Sequence, residues 1–335
     1  MEKVRVGVVG VGWIAQVVHL PMLQKLPEAE LVAICDRDKA RARLVAEKFG
    51  IKRTYTDLSV MLESEDLAVV IVCTSTDAHR DTAILALKAG KHVLVEKPIA
   101  RTYAEAADIV EAGREAKRLV MVGMNHRFRP DTMILRSFIE GKELGKVYYT
   151  KAGWLRKPPN NAAWVTKREK SGGGVFIDLG IVMLDMAFWM MGYPEVRRVS
   201  AFHFSSTQRG VEDTSVVSLV LKNNALINIE VSWSLTIDDD RYFCDVVGTQ
   251  GTGSLSPFRV FKELHGSLVN LTPAKGDSPQ SQFKKSYENE LRHFLGAVRG
   301  VHPLISPGEE ALQRMRIVDA VYKSVKAGKE ITLAT

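Results

Sequence analysis

Cysteine is scarce in this chain: Cys35, Cys73 and Cys244 are the only three in 335 residues. They stand far apart, each in an apolar run. A disulfide framework needs pairs and a zinc site needs clustered ligands, so the three read as reduced core thiols and no metal site is expected. Long apolar runs are missing too, since none reaches the ~18 residues of a membrane span. The opening MEKVRVGVVG enters a strand pattern at once, without the charged-then-apolar layout of a signal peptide. A cytoplasmic protein with no membrane association is expected. The net charge is +7, yet the Lys and Arg residues are dispersed and form no basic block. Nucleic-acid binding is therefore not expected, although the excess could favour an anionic cofactor or substrate. Internal repeats and low-complexity linkers are absent as well.

What is present is a globular composition, 46% hydrophobic and 25% charged, on a length that suits two domains. VRVGVVGVGWIA, residues 4–15, reads as a buried strand ending in glycines and running into a helix. Gly10-x-Gly12-x-x-Ala15 has the spacing of a dinucleotide-binding turn. Gly10 permits the tight turn, Gly12 lets backbone approach a pyrophosphate, and Ala15 lets helix and strand pack closely. The amides at the helix start, around Trp13 and Ile14, can face the anion. Glycines often merely punctuate a turn, so the motif depends on its context.

That context is supplied by a second apolar strand, ELVAICDRD, with Asp36 at its carboxyl end. A carboxylate there can accept from both hydroxyls of an adenosine ribose and repels a 2′-phosphate. Asp36 could instead cap the next helix, but Asp38 is better placed for that. Arg37 could stack on adenine or bind a 2′-phosphate; the balance favours NAD, with NADP kept as the alternative.

Strand and helix patterns keep alternating through LVMVGMNHRF, residues 119–128. The α/β class follows, with a parallel sheet covered by helices on both faces. Ligands of such sheets bind at the carboxyl ends of strands, a rim that takes in Thr74, Ser75, Thr76, Glu96, Lys97 and Asn125. His79 lies one helical turn from that rim and is a candidate cofactor contact or a helix-start brace.

Four segments then occur in order: GVGWIA, Glu96-Lys97-Pro98, GMNHRF at 123–128 and SGGGVFIDLG at 171–180. Together they resemble the Gfo/Idh/MocA oxidoreductases, the family of glucose–fructose oxidoreductase and inositol dehydrogenase, and the resemblance covers nearly the whole chain. It implies an N-terminal Rossmann domain, residues 1–123, and a C-terminal α+β domain, residues 124–335, with a large, mostly antiparallel sheet. One open face of that sheet is expected to make a homodimer or homotetramer. Strand patterns beyond residue 145 agree independently, among them KVYYTKAGWL and RYFCDVVGTQGTGSL.

The implied reaction is hydride transfer between a nicotinamide and a hydroxyl-bearing carbon of a sugar-like, polyol or cyclitol substrate. It needs a proton acceptor and a positive group to stabilise developing alkoxide. By resemblance Lys97 stands beside the nicotinamide and the reacting oxygen. Pro98 makes a cis Lys97–Pro98 bond accessible at about 0.5–1 kcal/mol, and a cis peptide is expected. Family members commonly run Asp-x-Gly-x-His-x-x-Asp in the later motif. Asp178, Gly180 and Asp185 match it, but Val182 stands at the histidine position.

Valine cannot exchange a proton. Lys97 could carry the proton itself, or His126 could compensate, with Asp178 as a further catalytic and substrate-binding candidate. Otherwise the protein could be a cofactor-binding regulator without turnover, or an NAD-dependent glycosidase in which transient oxidation activates elimination. The polar stretch 153–174 reads as a substrate lid with Arg156 and Trp164 as contacts, because tryptophan stacks on sugar faces and arginine binds hydroxyls or anions. The acids of DDDR, residues 238–241, read as a solvated turn.

Overall fold

A computed structural model describes residues 2–157, 164–205, 210–236, 238–273 and 276–333. It divides into two compact units, Met1–Asn125 with Tyr287–Gln313, and His126–Ser286 with Arg314–Thr335. The family resemblance implies one domain over 124–335, whereas by contact Tyr287–Gln313 groups with the first unit.

The first unit is built on β1 (Val4–Val9), β2 (Ala29–Cys35), β3 (Arg53–Tyr55), β4 (Val69–Val72), β5 (His92–Glu96) and β6 (Val120–Gly123). All neighbours pair in parallel, in the order β3-β2-β1-β4-β5-β6. β4 and β6 are buried along their whole length, as strands covered on both faces must be. Helices Lys39–Phe49, Thr76–Lys88 and Tyr103–Ala116 alternate with them. Asp38 caps the first, accepting from the Arg41 amide at 3.0 Å. Past β6 the edge is met by the returning chain, where Ser306 accepts from the Val122 amide at 3.0 Å and donates its hydroxyl to the Val122 carbonyl at 2.8 Å. That contact blunts an otherwise open sheet edge.

The second unit carries β7 (Val147–Leu155), β8 (Val196–Phe204), β9 (Thr214–Leu221), β10 (Leu226–Ser232), β11 (Arg241–Gly248), β12 (Gly251–Leu255), β13 (Arg259–Leu264), β14 (Ser267–Asn270) and β15 (Ile331–Thr332). Their order is β14-β13-β12-β11-β7-β10-β9-β8-β15. Only β7 with β10 is parallel among these pairs. The stretch 241–255, one strand by its sequence pattern, is two strands that turn at Thr249 and Gln250, where the Gln250 amide donates to Leu144 instead of continuing the ladder. Val199, Ala201, Val217, Leu219, Ile227 and Ile229 alternate inward and are buried, the period-2 pattern of a half-covered sheet. Helix Ile181–Met190 is buried at every position but Trp189. The stretch Arg168–Met190 is long and apolar enough to cross a bilayer, but 89% of its apolar window is buried inside the protein, which makes it a core helix.

Candidate active site

The glycine turn of the first unit is built as its spacing suggests. Gly10 sits at φ +83°, and a Cβ there would lie 2.7 Å from the Cys73 carbonyl carbon and the Thr74 nitrogen, so only glycine fits. A Cβ on Gly12 would meet nothing within 4 Å, which leaves its backbone open to a ligand. Ala15 is fully buried against the sheet, while Trp13 is 68% exposed. Asp36, at the end of β2, accepts from the Val11 amide and from the Asp38 amide, each at 2.9 Å. It thereby ties the glycine turn to β2, and each carboxylate oxygen keeps a lone pair for a ribose hydroxyl. Arg41, not the exposed Arg37, lies beside Asp36, at 3.5 Å. These residues would fit a dinucleotide: Gly12 faces open space, and the Asp36 carboxylate is held by two backbone amides.

Thr74 and Ser75 are half-buried just before helix Thr76–Lys88, whereas Thr76 is buried. His79 is buried within that helix, its Nδ1 2.9 Å from the Pro98 carbonyl oxygen and its Nε2 3.1 Å from that of Thr74. Burial pushes its pKa down, against the pull of those two carbonyls. Its contacts are those of a brace under the Lys97–Pro98 peptide, which is cis. Glu96 is buried and Lys97 half-buried at the end of β5, and Asn125 opens the short turn Asn125–Phe128 after β6.

In the second unit the two acids of the motif have different surroundings. Asp178 lies half-buried in a wide, π-type turn, Phe176–Gly180, of the kind often found at functional sites. Asp185 is 1% exposed and bound by Arg127 and Arg314. Val182 is buried between them. The preceding glycines are required by packing: a Cβ on Gly173 would collide with the Tyr322 hydroxyl, and one on Gly174 with Glu212. The Glu212 carboxylate accepts from the Gly174 and Phe176 amides at 3.0 and 3.1 Å and from Tyr322 at 2.8 Å, which caps the start of the helix.

His126 packs its ring 5.2 Å from Trp154 and 5.1 Å from Tyr242. Those two residues pair directly across β7 and β11. Arg156 lies 3.6 Å from Asp240 and over the Trp154 ring at 5.8 Å. The acidic turn thus supplies Asp240 as a partner for Arg156 rather than serving only as solvated surface. Trp164 is half-buried, and its carbonyl accepts from the Lys167 amide at 3.1 Å. Residues 158–163 of the expected lid lie outside the described residues. Nothing in the local sequence pattern marks His19, Arg127, Glu212 or Tyr242. Arg127 adjoins His126 in the quoted GMNHRF, but nothing local marks its partner.

A parallel sheet in this order, with an open glycine turn and an acid closing its second strand, is the architecture of a dinucleotide-binding domain. The chain belongs to the Gfo/Idh/MocA oxidoreductase family. The family's NAD-binding Rossmann fold matches residues 4–124, and its C-terminal alpha/beta domain matches residues 136–333. It is 30% identical to D-glucoside 3-dehydrogenase of Escherichia coli, over 99% of this chain and 98% of that one. It is 29% identical to the scyllo-inositol 2-dehydrogenase (NAD(+)) of Bacillus subtilis, over 99% and 97%. Among solved structures it resembles GenD2 from gentamicin A biosynthesis in complex with NAD, with 25% identity, a TM-score of 0.88 and coverage of 100% and 97%. The cofactor of this oxidoreductase is NAD.

Proposed function

We propose that the protein oxidises a secondary hydroxyl of a sugar-like or cyclitol substrate, or reduces the matching ketone, with Lys97 as the proton-transferring group. When bound, the nicotinamide supplies or accepts the hydride. Gly10 and Gly12 leave room for the phosphates, and Asp36 accepts from the ribose hydroxyls while its charge disfavours a 2′-phosphate. Trp13, Ile14, Thr74, Ser75, Thr76 and Asn125 complete the cofactor contacts, with His79 and Glu96 bracing from beneath. Lys97 takes the hydroxyl proton as the amine and, once protonated, stabilises alkoxide character on the reacting oxygen. Asp178 and His126 hold further hydroxyls, and Arg156 and Trp164 contact the rest of the substrate.

The observation that carries this reading is the combination of Val182 with Lys97. Val182 removes the histidine that usually shares the proton, whereas Glu96-Lys97-Pro98 is intact on the nucleotide rim. The test is NADH formation from a panel of D-glucosides, free aldoses and inositols. Turnover of one of them by the natural protein, lost in Lys97→Ala, supports the reading. NAD binding with no turnover of any panel member returns the chain to the regulator alternative.

The exposed face of the second sheet supports an assembly of identical chains. Phe202, Phe204, Val216 and Leu226 point away from the core and are exposed, and the Lys151–Glu230 ion pair at 3.0 Å crosses the middle of the same face. We read it as the surface of a homodimer or homotetramer, to be checked by light scattering. The three unpaired, buried thiols suit a reducing compartment, and we place the protein in the cytoplasm.

A further inference from the structure

We propose that His19 is a positioning residue for Lys97, holding the buried Glu96 carboxylate so that the turn through Lys97 and Pro98 presents the lysine to the reacting hydroxyl. The inference rests on the reading of Lys97 as proton acceptor. His19 ends the wide turn Ala15–His19 that follows the glycine motif, and it is fully buried. Its Nε2 lies 2.6 Å from Glu96 Oε1. The other carboxylate oxygen accepts from the Lys97 amide at 3.3 Å. One carboxylate therefore couples a side chain of the glycine-motif helix to the backbone of the lysine.

The surroundings are arranged for that carboxylate. A Cβ on Gly123, opposite Glu96 in β6, would lie 3.4 Å from Oε2, an ordinary contact, so the carboxylate sits directly against that strand. His79 braces the far side of the turn through the Pro98 carbonyl at 2.9 Å. Burial alone would discharge His19, but Cys73, through any thiolate character, and then the Glu96 carboxylate outweigh it and raise its pKa well above the ordinary value. Burial likewise pushes Glu96 up, and His19 and then Lys97 hold it below its ordinary value. Besides these groups, Tyr287 presents its ring edge-on at 6.2 Å, and Glu290 and His79 act on the same cluster. An apolar pair of equal volume would pack as well as a buried ion pair. What such a pair would lose is the tie to the Lys97 amide.

The test follows the Lys97 side chain without requiring a known substrate. Full-length wild type, His19→Gln and His19→Leu are acylated with a small N-hydroxysuccinimide ester at one pH. The Lys97 peptide is then quantified by mass spectrometry against the other lysines. Without His19 the bare Glu96 carboxylate recruits the neighbouring ammonium. His19→Leu should therefore slow Lys97 acylation about threefold or more, the scale of a weak ion pair. His19→Gln retains an N–H donor and should recover most of the rate, with NAD affinity by calorimetry unchanged in both. A wild-type rate in folded His19→Leu overturns the proposal, as does equal slowing in both variants. Should His19→Leu not fold, the double variant His19→Leu/Glu96→Leu replaces the pair with apolar volume. It must then also change the Lys97 rate by about threefold or more; an unchanged rate overturns the proposal. Turnover by Lys97→Ala is scored separately: if it persists, the proton-acceptor reading fails while the acylation result still decides the role of His19.

Discussion

Arg127 holds Asp185 through two nitrogens, Nε at 2.8 Å from one carboxylate oxygen and Nη2 at 2.6 Å from the other. Arg314 adds a contact at 2.6 Å and the Tyr193 hydroxyl another at 2.9 Å. Burial pushes the Asp185 carboxyl up, but the Arg127 and Arg314 guanidiniums outweigh it and hold it below its ordinary value. The second acid of the motif is therefore an anchor for two buried cations, not a group available to substrate. Asp185→Asn keeps the shape and removes the counter-charge, and should cost about 3–5 kcal/mol in urea unfolding. Because the folded pKa is depressed, this contribution is present above the unfolded carboxyl pKa and lost as pH falls through the folded one. Wild-type stability in the variant would contradict the anchoring role.

Lys97→Ala should cost more than the ~10²–10⁴-fold usual for one acid/base group, since charge stabilisation is lost with it. Steady-state kinetics on a substrate found in the panel would measure this. Full activity without Lys97 would move the proton to His126 or Asp178.

Val182→His would put an imidazole four residues beyond Asp178, on a helix that already buries that position. In an enzyme that relies on Lys97, the new group should alter the pH–rate profile without being required for turnover. A profile identical to wild type would mean that this position does not reach the reacting oxygen.

Asp36→Ala removes the acceptor of the Val11 and Asp38 amides together with the charge that disfavours a 2′-phosphate. NAD binding should weaken about ten- to a hundredfold, the scale of a lost charged hydrogen bond. The preference over NADP should narrow as well. Calorimetry with both nucleotides decides it, and tighter binding of NADP by the unmodified protein would assign the pocket to Arg37 or Arg41.

His293 in the first unit stacks on His302 at 4.3 Å, and its Nε2 accepts from the Ile305 amide at 2.8 Å. Burial, then the neighbouring His302, pushes its pKa down to about 4. Between that value and the ordinary histidine range the unfolded chain binds the proton and the folded one does not. Stability should therefore fall as pH drops through this window, by less than the full shift implies because solvent screens the half-buried ring. His293→Gln can accept the same amide without titrating, so its acid loss should be smaller. Parallel urea titrations at neutral and mildly acid pH would show equal losses if His293 plays no part.

Much of the first sheet was legible because buried parallel strands are apolar runs, and glycine and charge mark where each one ends. Gly10, Asp36 and Lys97 could be placed at strand ends from local pattern alone, and the family resemblance of the later motif exposed Val182. Periodicity says which face of an element is buried, not what it is buried against. His19 and Glu96 are 77 residues apart and Arg127 and Asp185 are 58 apart, so no local window contains either pair. The parallel pairing of β7 with β10 and the assignment of Tyr287–Gln313 to the first unit are equally non-local. The sequence by itself determined the nucleotide turn and which residues stand at its rim. Only the tertiary structure decided which acids and histidines are consumed in buried pairs, because an ionised group can enter a core only where a partner from elsewhere in the chain meets it.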